Sequence, residues 1–161
     1  MSCPRYRPPH SAELIGRSPP QVCDHERMPS DSFDHDSESF ENGLRVRRAV
    51  MGDDFVDAAL ARTDGTASAT LQQFVTEHVW DAVWNREGLE RRDRSLLNIG
   101  ILTALRAHEE LVGHVRGALT NGLTQEEIVE AIVHTAGYCG APAALSAMKV
   151  AQQVFDAHNA S

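Results

Sequence analysis

Residues 118–128, with the sequence ALTNGLTQEEI, contain the end of one helix and the start of another. Asn121 and Gly122 tolerate the positive φ with which many helices end. Thr124, followed three residues later by Glu127, has the spacing of a capping box, in which each side chain accepts a hydrogen bond from the other residue's backbone N–H. The stretch therefore predicts two helices joined by a short turn.

Helical spacing of apolar residues continues on both sides of this turn. Downstream, one helix follows the capping box, and Pro142 fits the first turn of a last helix. The predicted buried residues of that last helix are Ala144, Leu145, Met148, Ala151 and Phe155. Upstream, the segment from about Asp93 to Leu105 is apolar nearly all round, which predicts a central buried helix. We expect it to end at a break near Ala107-His108, although one long bent helix has the same periodicity.

Two further helices are predicted before this segment. The first covers Asp53 to Arg62, and the second carries an apolar stripe with the i, i+3, i+4, i+7 spacing of a helix. The stripe consists of Leu71, Phe74, Val75, His78, Val79, Ala82 and Val83. Since no segment shows the alternation of a β-strand, the sequence predicts an all-α bundle of about six helices.

Residues 1–41 differ in composition from the rest of the chain. They contain six of the seven prolines, and from Asp31 to Glu41 five acidic residues occur without a lysine or an arginine. Such a segment repels itself and has little apolar surface to bury. We therefore expect residues 1–41 to form a disordered acidic, proline-rich tail and residues 42–161 to form the folded domain.

Charge and composition argue against several classes of protein. The formal net charge is −8 and the longest basic cluster is RVRR at 45–48, so nucleic acid is not an expected partner. The chain has no apolar run of membrane-spanning length and no signal-peptide pattern, which predicts no membrane association and a cytoplasmic location. The spacing of the three cysteines suits neither a disulfide framework nor a CxxC pair: they are Cys3, Cys23 and Cys139.

The spacing of the histidines argues against a metal site. His108 and His114 flank a sequence that resembles the zinc motif HExxH, but they are six residues apart. That motif needs two histidines four apart on one helix face. No protein-bound metal is therefore expected.

Glu110 and His114 form the leading candidate for a catalytic site. They are four residues apart and share a helix face, where a carboxylate can orient an imidazole and raise its pKa for general acid or base work. Apolar residues flank the pair, and Gly113 and Gly117 allow another backbone to approach. The alternative interpretation is an exposed polar pair without a catalytic role.

Other side chains are candidates for completing this site. Arg94, near the start of the apolar helix, could bind a carboxylate through two hydrogen bonds, although a solvated helix-flanking charge is equally compatible with the sequence. Trp80 and Trp84 also share a helix face and either line a pocket or pack in the core or an interface. Tyr138, between two glycines, and His78 are further candidates for substrate binding.

A series of short motifs between about residues 43 and 155 carries a family resemblance. The motifs are Arg47-Arg48, Met51-Gly52-Asp53, Trp80 and Trp84, Arg94-Ser95-Leu96-Leu97, Glu110-Leu111, His114-Val115-Arg116, 118–124, 126–130 and 138–144. In this order they resemble the 4-carboxymuconolactone decarboxylase family. The resemblance covers nearly the whole predicted domain and leaves residues 1–41 outside.

The resemblance implies an all-α fold shared with the alkylhydroperoxidase D-like proteins, and assembly into homo-oligomers such as trimers or hexamers. In the redox branch of that superfamily, a histidine lies four residues after the second cysteine of a CxxC motif. His114 occupies the histidine position here, but Ala107 and Glu110 occupy the cysteine positions. Dithiol peroxidase activity is therefore not expected.

The decarboxylase branch implies conversion of 4-carboxymuconolactone to β-ketoadipate enol-lactone in protocatechuate catabolism, without a cofactor. The electron pair left behind by CO2 can delocalise into the lactone carbonyl, so an enzyme needs only to stabilise an enolate oxygen and to deliver a proton. By this resemblance His114 would be the proton donor, Glu110 its orienting partner, and Arg94 a contact for a carboxylate or the enolate.

Two departures from the family pattern keep other functions open. Asp81 follows Trp80 where the family usually has glycine, and Cys139 stands where alanine is common. These differences are compatible with a decarboxylase-like tailoring enzyme that acts on another lactone or on a polyketide acid in secondary metabolism. A non-catalytic helical assembly protein is the third possibility, and it would leave Glu110, His114 and Arg94 scattered on the surface.

Overall fold

The structure, a computed structural model, describes residues 37–160, and these residues form seven α-helices and no strand. The helices are α1 (Glu38–Met51), α2 (Asp53–Thr63), α3 (Ser68–Val75), α4 (Arg91–Leu105), α5 (His108–Thr120), α6 (Gln125–Cys139) and α7 (Ala141–Asn159). A π-helical turn, Thr76–Asp81, continues α3 and is called the π-segment below. The all-α prediction is confirmed, and none of these helices is long and apolar enough to cross a membrane.

Helix α1 begins inside the predicted tail, so the boundary placed after residue 41 is wrong. Its first turn is capped by Ser37, whose Oγ accepts a hydrogen bond from the Phe40 backbone N–H at 3.1 Å. Glu38 and Glu41 lie in this turn, where the helix dipole favours acidic side chains, and Phe40 is buried. The predicted disorder of residues 1–36 lies outside the described residues.

The predicted helix junctions are confirmed. Thr124 Oγ1 accepts a hydrogen bond from the Glu127 N–H at 3.2 Å, and a Glu127 carboxylate oxygen accepts one from the Thr124 N–H at 2.9 Å. Gly122 has a φ of +89° between α5 and α6. The break before α5 is formed by Arg106, which adopts the left-handed conformation with a φ of +57°.

Two apolar clusters fill the interior of the described residues. The first lies among α4, α5, α6 and α7 and includes Ile99, Leu111, Val115, Ile128, Ile132 and Ala147. The second joins α1 and α2 to the π-segment and consists of Val46, Val50, Met51, Val56, Trp80 and Trp84. Helix α1 approaches α5 at the two glycines, as the sequence predicted: a Cβ on Gly113 would lie 2.7 Å from Met51 Cε, and one on Gly117 would lie 3.1 Å from the Val50 carbonyl oxygen.

The π-segment changes which residues between 71 and 84 face the core. Its wider turn is visible in the hydrogen bond from the Trp84 N–H to the Val79 carbonyl, five residues back, at 3.0 Å. Packing against α1 then buries Thr76, Trp80 and Trp84. Most residues of the predicted stripe are helical, but several of them are exposed in the single chain: Leu71, Phe74, Val79 and Val83.

Helix α4, predicted to be buried all round, is buried on one face only. That face carries Ser95, Ile99 and Thr103, because α5, α6 and α7 pack on one side of the helix. The exposed large apolar residues of α4 are Leu96, Leu97, Ile101 and Leu105. In α7, Ala144, Ala151 and Phe155 are buried as predicted and Met148 is half-buried, whereas Leu145 is 64% exposed.

The exposed side of α4 borders an apolar groove against α6. The groove has a volume of about 670 Å³. Its lining residues include Leu96, Leu97, Gly100, Ile101, Ala131 and His134. A single chain thus leaves a continuous apolar surface uncovered on these two helices.

Candidate active site

His114 lies against both tryptophans of the second cluster. Its ring centroid is 6.4 Å from that of Trp80, with the planes only 5° apart, and 6.2 Å from that of Trp84 at 22°. The two indole rings are themselves stacked at 5.1 Å. Helix α5 positions the imidazole, and the π-segment with the turn after it positions the indoles. Trp80 and Trp84 are buried in the second cluster, and both also stack on His114.

Burial controls the charge of His114. The apolar surroundings lower the pKa of the imidazole, and the negative charge of Glu110, one helical turn away, raises it by a smaller amount. Glu110 thus raises the pKa as expected, but desolvation by burial is the larger influence and the net pKa is lowered. A lowered pKa favours the uncharged ring at neutral pH.

Asn98 is a polar contact of His114 that the sequence did not identify. Its side-chain nitrogen lies 3.4 Å from His114 Nδ1. When this amide NH2 group donates to Nδ1, the neutral imidazole carries its proton on Nε2. In the sequence, Asn98 stands out as a polar residue among apolar neighbours one turn after Arg94. Only the packing of α4 on α5 shows that it faces His114.

Arg94 lies one turn before Asn98 on the same face of α4. Its Nη2 donates to the Arg86 carbonyl at 2.7 Å, which ties α4 to the loop that follows the tryptophans. Its Nε is buried and has no hydrogen-bond partner among the described residues. No described contact joins Arg94 to His114. Arg92, by contrast, pairs with Asp93 and Glu127.

Two of the predicted substrate-binding residues lie away from this group. His78 is exposed, stacks on Phe74 at 4.3 Å, and contacts the Phe74 carbonyl oxygen through Nδ1. Tyr138 is 80% exposed near the end of α6, where it lies 5.0 Å from the ring of His134. No described contact joins either side chain to His114.

Asp81, the acidic residue in a position where the family usually has glycine, is held by hydrogen bonds. Its carboxylate accepts one from Ser39 Oγ and one from Asn85 Nδ2, both at 3.0 Å. It therefore fastens the π-segment to the start of α1. Among residues 37–160, no group of three His, Cys, Asp or Glu side chains is placed to hold a metal ion.

Comparison with known proteins identifies the family to which this site belongs. The model of the carboxymuconolactone decarboxylase family matches residues 69–153, a range that includes Trp80, Trp84, Arg94, Asn98 and His114. The chain belongs to the carboxymuconolactone decarboxylase family. Helix α1 lies outside the matched range.

Two relatives of known name support a carboxy-lyase activity. The chain is 42% identical to the nitrosuccinic acid decarboxylase of Metarhizium robertsii over 117 residues, which are 73% of this chain and 81% of that protein. It is 37% identical to the 4-carboxymuconolactone decarboxylase of Acinetobacter baylyi over 121 residues, which are 75% of this chain and 90% of that protein. Both relatives are decarboxylases, and they are named for different substrates.

Proposed function

We propose that the chain is a cofactor-independent decarboxylase that converts 4-carboxymuconolactone to β-ketoadipate enol-lactone, a step of protocatechuate catabolism. The proposal is carried by the position of His114, an imidazole stacked against two indole rings in a member of the carboxymuconolactone decarboxylase family. A relative of 37% identity is named for this reaction. The partner is therefore a small lactone with two carboxylates.

The substrate supplies its own electron acceptor. Its departing carboxylate stands next to a C=C bond that is conjugated with the lactone carbonyl. When the C–C bond to that carboxylate breaks, CO2 leaves and the electron pair spreads through the double bond onto the carbonyl oxygen. A proton then adds to the carbon beside the carbonyl, so the protein has to stabilise one enolate oxygen and to supply one proton.

The two indoles favour the bond-breaking step. A carboxylate concentrates its negative charge on two oxygens and loses stabilising water when it lies against an apolar wall. The enolate formed from it spreads the same charge over more atoms and suffers less from that loss. Trp80 and Trp84 would thus raise the energy of the bound carboxylate relative to the transition state.

His114 is the proposed proton donor. The lowered pKa favours the neutral imidazole in the free protein, and the Asn98 side-chain amide lies beside its Nδ1. A dianionic substrate brings negative charge beside the ring, which favours the imidazolium form. His114 would therefore take up a proton as the substrate binds and deliver it to the enolate carbon, while Glu110 stabilises the charged ring and Arg94 contacts the enolate oxygen or the departing carboxylate.

Nitrosuccinic acid is a second candidate substrate, because a relative of 42% identity is named for its decarboxylation. Its nitro group can accept the electron pair as the lactone carbonyl does. Both acids also retain a carboxymethyl group on the carbon that loses CO2. A tailoring enzyme for another lactone or a polyketide acid would need a substrate with an equivalent acceptor.

Turnover assays with both acids test the proposal. We expect the purified chain to release CO2 from 4-carboxymuconolactone, and His114→Ala to lower turnover by about 10²–10⁴-fold, the usual contribution of a general acid. His158→Ala, which changes an exposed histidine in α7, is the matched control and should retain full turnover. Turnover of nitrosuccinic acid alone would show that this acid, and not 4-carboxymuconolactone, is the substrate. Turnover of neither acid would favour an enzyme for a different lactone or a non-catalytic assembly protein.

A further inference from the structure

Arg47 is a buried cation without an acidic partner among the described residues. Arg47 lies on α1 and is only 6% exposed. Its Nη1 donates to Gln72 Oε1 at 2.9 Å and to Thr76 Oγ1 at 3.4 Å, and both acceptors are uncharged. Arg48, by contrast, donates to the carboxylates of Asp53 at 3.1 Å and Asp57 at 2.5 Å.

The guanidinium of Arg47 has one edge available. Its Nε is buried without a hydrogen-bond partner, and Nη2 makes no hydrogen bond to the described residues. These two nitrogens form the edge with which an arginine binds both oxygens of a carboxylate. A buried guanidinium without a counter-charge is costly, and burial already lowers its pKa. An anionic ligand on this edge would remove that cost.

The position of Arg47 connects it to His114 through the π-segment. Thr76, which accepts a hydrogen bond from Arg47, lies one turn before Trp80, and Trp80 stacks on His114. Val46 and Val50, which flank Arg47 on α1, belong to the same apolar cluster as Trp80 and Trp84. π-helical turns within helices frequently occur at functional sites. Arg47 and His114 thus contact the two ends of one short segment.

We infer that Arg47 binds the carboxylate that the substrate retains after CO2 has left. The inference rests on the proposed function, because both candidate substrates keep a carboxymethyl group. A dianion needs a fixed cation in a chain with a net charge of −8, and two other arginines already have acidic partners: Arg48 pairs with two aspartates and Arg92 with Glu127. Arg47 would then orient the substrate so that its other carboxylate lies against the indoles.

Binding of succinate, a dicarboxylate that undergoes no decarboxylation here, tests the inference without turnover. Isothermal titration calorimetry with succinate should give about 10- to 100-fold weaker binding for Arg47→Met than for the parent chain, the usual loss for a charge-assisted hydrogen-bonded pair. Arg48→Met is the matched control, because it removes an adjacent, more exposed arginine, and it should bind succinate like the parent. Succinamide, the diamide, has no carboxylate for Arg47 to bind and should bind the parent and Arg47→Met with similar affinity.

A purely structural role for Arg47 gives different results. Equal succinate binding by parent and Arg47→Met, equal weakening by Arg47→Met and Arg48→Met, or no succinate binding by the parent would each overturn the inference. Circular dichroism checks folding, and Arg47→Gln, which retains a hydrogen-bond donor, replaces Arg47→Met if the latter unfolds. Unfolding of both variants would mean that Arg47 stabilises the fold and does not bind the substrate. Succinate binding through Arg47 without turnover of either candidate acid would instead count against the proposed reaction.

Discussion

The charge state of His114 is set by two opposing influences. Burial against the indoles lowers its pKa, and the carboxylate of Glu110 raises it by less. Replacing Glu110 with glutamine removes the influence that raises the pKa. We therefore expect Glu110→Gln to lower the pKa of His114 further, as measured by NMR titration of the imidazole. If the imidazolium donates the proton, the limb of the pH–rate profile in which activity falls with rising pH should move to lower pH.

The adjacent glutamate provides the control for this experiment. Glu109 is exposed, and its side chain leaves α5 about 100° away from that of Glu110 and thus from the helix face that Glu110 shares with His114. Glu109→Gln should leave the His114 titration nearly unchanged. Equal shifts for the two variants would mean that His114 senses only the net charge of α5, and the specific pairing with Glu110 would then be wrong.

At the residue scale, local spacing predicted part of the candidate site. His114 and Glu110 could be paired from the sequence because helical periodicity fixes which residues share a face. Asn98 and Arg47 could not be found in this way, since their roles depend on which helix packs against theirs. In the sequence, Arg47 and Arg48 are two adjacent arginines, and nothing local distinguishes the buried one from the one paired with aspartates.

The contact between α1 and the π-segment depends on a glycine. A Cβ on Gly43 would lie 2.0 Å from the Thr76 carbonyl oxygen, a backbone atom that cannot move without shifting the π-segment. We expect Gly43→Ala to lower the free energy of unfolding by about 1–3 kcal/mol, as overpacking usually does, and to reduce activity because Trp80 is displaced. Chemical denaturation and the decarboxylation assay measure the two effects.

Gly137→Ala is the matched control for this substitution. Gly137 is also inside a helix, but a Cβ there would meet no other atom within 4 Å. Alanine at such a position should raise the free energy of unfolding by up to about 1 kcal/mol through its higher helix propensity. Similar destabilisation by both substitutions would show that helix propensity, not the approach of α1, controls the result at Gly43.

At the element scale, the helix ends were more predictable than the buried faces. The capping box at Thr124 and the glycine at position 122 act through hydrogen bonds and dihedral angles within a few residues, and the structure has both where the sequence placed them. Helical spacing did not show which side chains of residues 71–84 are buried, because a π-helical turn alters the periodicity and because α1, which was not predicted as a helix, covers Thr76 and Trp80.

The whole molecule is expected to self-associate through the groove between α4 and α6. Ile101, which lines the groove, is 51% exposed in the single chain, and its apolar neighbours form a continuous surface of the kind that protein interfaces cover. We expect sedimentation velocity to show an oligomer for the parent chain. Ile101→Glu should shift it to monomer, because the charge would lose its water on association.

A leucine outside the groove separates this effect from a general change of surface charge. Leu89 is 44% exposed in the loop before α4, and Leu89→Glu should leave the oligomer intact. Circular dichroism should show unchanged helix content in both variants. A parent chain that sediments as a monomer at micromolar concentration would contradict the proposed assembly.

Because His114 stacks on both indoles, tryptophan fluorescence can be used to follow the candidate site. The chain has two tryptophans, and both lie against this one imidazole. Light absorbed only by tryptophan therefore excites two side chains of the candidate site, and an imidazolium quenches indole emission more strongly than a neutral ring does. Proton uptake by His114 on arrival of a substrate would be visible as a fall in emission on the millisecond scale of rapid mixing, without a dye, a label or a coupled assay.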